Sequence, residues 1–171
     1  MPDPASPLGH RAQGFEPVVT PETRVLILGS LPGVASLAAG QYYAHPRNAF
    51  WPIMDGLTGE GLSGLPYAAR LERLKAHGIG LWDVLASAER SGSLDAAIRS
   101  PEAADLCGLV ERLPELKAIA FNGALAAKTG TRILARYEGL TLLSLPSTSP
   151  AHAIGLSKKA DIWEEIRRFL P

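Results

Sequence analysis

The chain has 171 residues, room for one domain with a sizeable core, and its 46% hydrophobic and 20% charged residues are those of an ordinary soluble globular protein. Its formal net charge is zero, which argues against a large nonspecific nucleic-acid surface but leaves room for a local basic patch. One cysteine, Cys107, excludes an internal disulfide and an all-cysteine iron–sulfur cluster, and apolar runs as short as residues 25–28 and 140–143 fall far below the roughly 20 residues of a membrane span.

Residues 1–16 are Pro-rich and polar and lack the basic-then-apolar order of a secretion signal. They read as a loose arm, so residues 1–20 are expected to be flexible and residues 21–171 to form a single domain. Residues 24–29 (RVLILG) are an apolar, β-branched run closed by Gly29, which predicts a buried strand. Residues 48–58 mix aromatic and aliphatic side chains, with Pro52 near the start, and predict a helix. Residues 68–77 carry Leu71 and Leu74 at helical spacing before a Gly78 stop and predict another. Residues 79–85 are a second short apolar segment. Residues 101–113 read as a helix with Cys107 packed toward the core.

Residues 117–121 (KAIAF), stopped by Asn122-Gly123, predict a second strand. Residues 124–137 have a helical pattern interrupted only by Gly130. Residues 140–145 (LTLLSL), ended by Pro146, predict a third strand. Residues 158–170 close the chain as an amphipathic helix with Ile162, Trp163, Ile166 and Phe169 on one face. Apolar strands alternating with helices imply a parallel sheet covered on both faces. Ligands of such sheets sit beyond the carboxyl ends of the strands. Here those positions are residues 29–33, Asn122-Gly123 and residues 147–153, all polar loops shaped by Gly and Pro.

The first loop, Gly29-Ser30-Leu31-Pro32-Gly33, is a rigid turn that brings backbone N–H groups close to a ligand. Residues 42–51 (YYAHPRNAFW) combine faces that stack on a base, an Asn that binds an amide-like edge or holds a water, and an Arg that meets phosphate. Trp51 belongs to the core by this reading. Asn122 ends a strand. Residues 145–153 (LPSTSPAHA) offer three hydroxyls in a proline-braced loop, suited to phosphates.

These pieces, in this order over roughly residues 24–169, resemble the uracil-DNA glycosylase superfamily, and most of all its hypoxanthine-DNA glycosylase branch, family 6. The resemblance implies a three-layer α/β/α sandwich on a short, mostly parallel four-stranded sheet. It implies base excision repair by a monofunctional glycosylase that everts a deaminated base (hypoxanthine, uracil or xanthine) and hydrolyses its N-glycosidic bond. It assigns catalysis to Asn48 and His152. Base binding falls to Gly29, Ser30, Leu31, Pro32, Gly33, Tyr43, Phe50 and Asn122, with Tyr43 stacking and Asn122 reading the base edge. DNA contact falls to Arg47, Ser147, Ser149, Pro150, Ala151 and Lys158. Two departures matter. Leu31 stands where related enzymes carry the Asn or Asp that holds the attacking water, which moves that role to Asn48. Ala151 stands where a leucine wedge fills the gap in the duplex, leaving His152 or Ile154 to substitute.

The expected partner is DNA carrying a deaminated base, met by a cytoplasmic monomer. No cofactor is expected, and no metal, because the four histidines have no i, i+4 pair and no cysteine partners. His45 is read as structural, and His10 and His77 as without a role. Two other readings stay open. Asp83 and Asp95 could pair as acid and base in a glycoside or nucleoside hydrolase, although each also suits a helix cap or turn. The same pocket could also bind damaged DNA or a nucleotide without cutting it.

Overall fold

In the computed structural model, which describes residues 11–171, the strands in chain order are β1 (Arg11–Gln13), β2 (Val25–Gly29), β3 (Ile79–Asp83), β4 (Leu85–Glu89), β5 (Arg99–Ala103), β6 (Ala118–Asn122) and β7 (Thr141–Leu145). The helices are α1 (Val34–Ala39), α2 (Phe50–Thr58), α3 (Tyr67–Ala76), α4 (Leu106–Val110), α5 (Ala124–Leu134) and α6 (Leu156–Trp163). Residues 1–10, with His10 and the start of the expected arm, lie outside the described residues.

Four strands form one parallel sheet in the order β3-β2-β6-β7. The central pair, β2 and β6, is buried at every residue, which is why both read as unbroken apolar runs. Side chains alternate between two cores, as strand geometry requires. Val25, Ile27, Ala118, Ala120, Leu143 and Leu145 join one core with Phe50, Trp51, Met54, Leu74 and Trp163 from α2, α3 and α6. Leu26, Leu28, Ile119 and Phe121 join the other with Leu106, Leu109, Ala126 and Leu134 from α4 and α5. Helices thus cover both faces, giving the three-layer α/β/α sandwich. Each fully buried Leu, Ile or Phe contributes roughly 1.5–3 kcal/mol.

Four parts differ from the sequence reading. Residues 79–83 are the fourth strand, β3, at one edge of the sheet. Residues 99–103 form β5, an exposed strand paired with β4, so the helix expected over residues 101–113 shrinks to α4. Pro101 and the alanines favour helix locally, but the ladder to β4 outweighs that preference. The described part of the expected arm is tied down: β1 pairs with β4, and Val18 exchanges backbone hydrogen bonds of 2.8 and 2.9 Å with Leu81. Gly80 permits that crossing, since a β-carbon there would lie 2.9 Å from Val19 Cγ1 and 3.0 Å from the Val18 carbonyl oxygen. The last helix also ends sooner than expected, giving way at Glu164 to a 3-10 stretch. Trp163 and Ile166 are buried as predicted, while Ile162 is exposed.

Candidate active site

The carboxyl ends of all four parallel strands open on one side of the sheet. Gly29 of β2 lies in register with Asp83 of β3, and Asn122 of β6 with Leu145 of β7. A cavity of about 460 Å³ occupies this end, within the usual range of small-ligand sites, roughly 300–1,000 Å³. The loop 29–33, Tyr43, Asn48, Asn122, Ser147, Ser149, Pro150, Ala151 and His152 all line it. The strand-end loops named from the sequence therefore converge.

Tyr43 forms the aromatic wall. Its backbone has φ +56°, a left-handed conformation that costs a non-glycine residue roughly 1–2 kcal/mol. The ring is held from behind by Phe50, with centroids 4.0 Å apart and planes 21° from parallel. Phe50 in turn meets Trp51 and Trp163 edge-on. Phe50 is fully buried and does not line the cavity, which corrects its expected place among base-contacting residues. It backs the wall that Tyr43 presents.

Asn48 holds the entrance of α2. Its Oδ1 accepts the Phe50 N–H at 2.9 Å, a local turn that replaces a helix-cap bond. The same stretch is braced by Ser36 Oγ, which accepts the Ala44 N–H at 3.1 Å, and by His45 Nδ1, which accepts the Arg47 N–H at 3.1 Å. His45 has the structural role expected of it and also lines the cavity.

Asn122 is committed to the late loop. Its Oδ1 accepts the Thr148 N–H at 2.9 Å and its Nδ2 donates to Thr148 Oγ1 at 3.0 Å. Both residues are buried. The Thr148 carbonyl accepts the Ala49 N–H at 2.9 Å, so one threonine couples the strand end, the late loop and the start of α2. Asn122→Ala is expected to cost about 1–3 kcal/mol, because it strands the buried N–H donor and the buried Oγ1 acceptor of Thr148. A melting midpoint equal to that of the parent chain would contradict this pinning role.

The hydroxyls of the late loop are partly used inside it: Ser147 Oγ accepts the Ser149 N–H and Ser149 Oγ accepts the Ala151 N–H. Beside the cavity runs a second hollow of about 320 Å³ lined by Arg47, Pro150, His152, Ile154 and Lys159 among others. Lys158 is exposed and lines neither hollow. Its neighbour Lys159 is the lysine built into the loop, 3% exposed and donating to the Ser149 carbonyl at 3.1 Å. Burial lowers its pKa. Its spacing of four from the buried Trp163 was the available signal.

Sequence reasoning also undervalued two carboxylates. Asp83 and Asp95 both line the cavity. Asp95 begins a short 3-10 turn and accepts from Ser30 Oγ at 2.6 Å. Arg90, whose side chain is 2% exposed, lies 3.9 Å from Asp95 and donates to the Pro32 carbonyl, bracing the first loop. Asp83 caps no helix; it is 4% exposed at the strand end, and burial, opposed by Arg90 and reinforced by Asp95, pushes its carboxyl up to about 7. Burial and Asp83 also push the Tyr43 phenol well above its ordinary range, with Asn122 opposing. Leu31 is buried and offers the cavity only hydrocarbon. Val34 and Leu94 stand exposed at the rim. Among the described residues, no group of three or more His, Cys, Asp or Glu is placed to hold a metal ion, and no helix is long and apolar enough to cross a membrane.

The family described as the Uracil DNA glycosylase superfamily matches residues 16–169 of this chain. A protein named hypoxanthine DNA glycosylase from Methanosarcina barkeri is 39% identical over 156 residues, which cover 91% of this chain and 97% of that protein. One of the same name from Methanosarcina acetivorans is 38% identical over 156 residues, covering 91% and 98%. The solution NMR structure of a candidate uracil DNA glycosylase from Methanosarcina acetivorans superposes with a TM-score of 0.82 at 38% identity, covering 93% of this chain and 98% of that one.

Proposed function

The chain belongs to the uracil DNA glycosylase superfamily, and from that premise we propose that it is a monofunctional DNA glycosylase that removes a deaminated base, hypoxanthine foremost, from DNA. One observation carries the reading: Tyr43, Asn48 and the strand-end loops share a single cavity, with the Tyr43 ring backed by Phe50. That wall offers a flat face to a base and loses little freedom when one stacks on it.

A base inside a duplex cannot reach such a slot, so the nucleotide rotates out at an unstacking cost of a few kcal/mol, least for a mispaired deaminated base. Ser147, Ser149, Pro150, Ala151 and His152 at the mouth, with Arg47 and Lys159 in the adjoining hollow, suit the flanking phosphates. We keep Lys158 only as an outer phosphate contact. In the cavity the C1′–N bond breaks and its electron pair passes to the base. Water adds to C1′ and gives up one proton, and the base departs carrying one. Asn48 orients that water through the second lone pair of Oδ1, while its bond to Phe50 fixes the plane of the amide. An amide is a poor base, so it positions the water rather than deprotonating it. The residues that line the cavity include no lysine, which supports simple hydrolysis over a Schiff-base lyase step. We propose that it acts as a monomer in the cytoplasm.

Asp83 and Asp95, both in the cavity, favour one second reading, hydrolysis of free nucleosides. A single panel decides between them: single- and double-stranded oligonucleotides carrying hypoxanthine, xanthine or uracil, with free inosine alongside. Abasic sites in the hypoxanthine oligonucleotide with intact inosine are the expected result. Cleavage of inosine alone supports the second reading, and binding without release at high protein concentration supports a non-catalytic one.

A further inference from the structure

Leu94 and Val34 are the exposed groups that the mechanism above leaves without a task. Among the described residues four large apolar side chains stand exposed, and these two line the cavity mouth at 59% and 56% exposure. Leu94 sits on the turn between β4 and β5, and that turn is fastened to the first loop. Ser93 Oγ accepts the Val34 N–H at 2.8 Å, Asp95 Oδ1 accepts from Ser30 Oγ at 2.6 Å, and Arg90, where the turn begins, donates to the Pro32 carbonyl. Gly33 admits this close seat, since a β-carbon there would lie 3.1 Å from Ser93 Oγ. The anchors lie on both sides of Leu94 in the chain, while its own side chain is left to solvent. A lone exposed leucine needs no explanation, but an apolar pair held rigidly at the mouth of a binding cavity marks a surface that something covers.

We propose that Leu94 is a wedge that enters the duplex beside the everted nucleotide and fills part of the space it leaves, with Val34 widening the apolar contact. The inference rests on the glycosylase reading and adds to it the group that keeps the base out of the stack. A nucleotide entering the cavity brings its two neighbours to the mouth, so the surface that covers Leu94 is the base stack itself. Eversion exposes the faces of those neighbours, and an apolar side chain slid between them takes that surface out of water. The wedge thereby slows the return of the base and lengthens its stay in the cavity. The late loop, where a wedge is expected, supplies none: Ala151 is too short, His152 is polar, and Ile154 is half-buried in the adjoining hollow. That loop follows β7 at one edge of the sheet, whereas the Leu94 turn is fastened to the loop after β2, beyond β6. The two flank the mouth from opposite sides, one suited to phosphates and the other to base faces.

The other exposed apolar residues do not share this place. Leu156 opens α6 and lines the adjoining hollow, and Ile162 lines neither hollow. Leu94 also has no part in holding the fold: it joins neither apolar core, and the bonds that fix its turn come from Arg90, Ser93 and Asp95. Truncating it therefore leaves the melting midpoint close to that of the parent chain.

The test is single-turnover release of hypoxanthine from duplex and single-stranded oligonucleotides of one sequence, by the parent chain, Leu94→Ala, Leu94→Met and, as a control, Ile162→Ala. A single strand has no paired stack to hold open. Leu94→Ala is expected to lose roughly ten- to a hundredfold on duplex, the effect of one buried leucine side chain, and little on the single strand. Leu94→Met is expected to regain most of the duplex rate, and Ile162→Ala to match the parent on both. A 2-aminopurine next to an uncleavable target reports unstacking directly: its fluorescence should rise when the parent binds and far less with Leu94→Ala. An alanine variant as fast as the parent on duplex overturns the proposal. So does an equal loss on both substrates, because Leu94 would then be a wall of the base site. A parent dimer that Leu94→Ala dissociates assigns the patch to a second copy and also overturns it. If the parent acts on duplex alone, the fluorescence comparison decides. If it releases no base at all, the glycosylase reading fails by itself. Leu94 is then judged by the same fluorescence: a rise lost in Leu94→Ala supports the wedge, and an equal rise in both chains ends it.

Discussion

Asn48→Ala is expected to slow single-turnover release of hypoxanthine by roughly a hundred- to a thousandfold while lowering stability by only about 1 kcal/mol. The two effects come from different ends of one side chain. Oδ1 accepts the Phe50 N–H at the start of α2, and its loss costs what a missing helix cap costs. The larger effect follows from the lack of a substitute: the first loop offers Leu31, whose buried side chain can hold no water. Asn48→Ser separates the effects, because a serine hydroxyl can still accept from the backbone. It should regain the melting midpoint and little of the rate. Full activity in a folded alanine variant would remove Asn48 from the reaction and leave the cavity without an identified water-positioning group.

Asp83→Asn is expected to stabilise the fold at neutral and alkaline pH. The folded-state pKa, about 7, lies above the ordinary 3.8. The folded chain therefore binds the proton more tightly than the unfolded chain does. Its stability is complete below about 4, falls as pH rises toward about 7, and is level beyond. The difference corresponds to roughly 4 kcal/mol forgone at high pH, as an upper figure. Asparagine removes the titration, so a gain of about 2–4 kcal/mol at pH 8 should shrink toward nothing near pH 4. Equal changes in denaturation midpoint at both pH values would contradict the burial of an ionisable Asp83. A residue that lowers stability at working pH is better explained by function than by folding, since sites commonly trade one for the other.

The sheet was legible where burial alone decides. β2 and β6 are apolar nearly throughout and β7 is half-buried around Leu143 and Leu145, and their ends located the loop 29–33, Asn122 and the late loop 147–152 that line the cavity. β3 was harder to read. Gly80 interrupts it so that Val18 and Val19 can cross over, and its Asp83 resembles a turn residue. Missing that strand meant reading Asp83 as a cap or turn residue, although it stands at a strand end just as Asn122 does. Periodicity could not find β5, because every residue in it is exposed and its only reason to be extended is pairing with β4. Phe50 and Tyr43 are both aromatic and close in sequence; only packing reveals which faces the cavity and which supports it. Asn122 has the right side chain at a strand end, but sequence cannot show that Thr148 already engages both ends of its amide. The adjacent pair Lys158 and Lys159 illustrates the same limit: charge marks the place, and helical phase selects the lysine that enters the loop.

The cavity's role is tested most directly by a crystal structure with duplex DNA in which the target is 2′-fluoro-deoxyinosine, whose glycosidic bond resists cleavage. The hypoxanthine ring should be rotated out of the helix and lie on the free face of Tyr43, with Asn48 beside C1′. A base still stacked in the duplex, or seated away from Tyr43, would contradict the account.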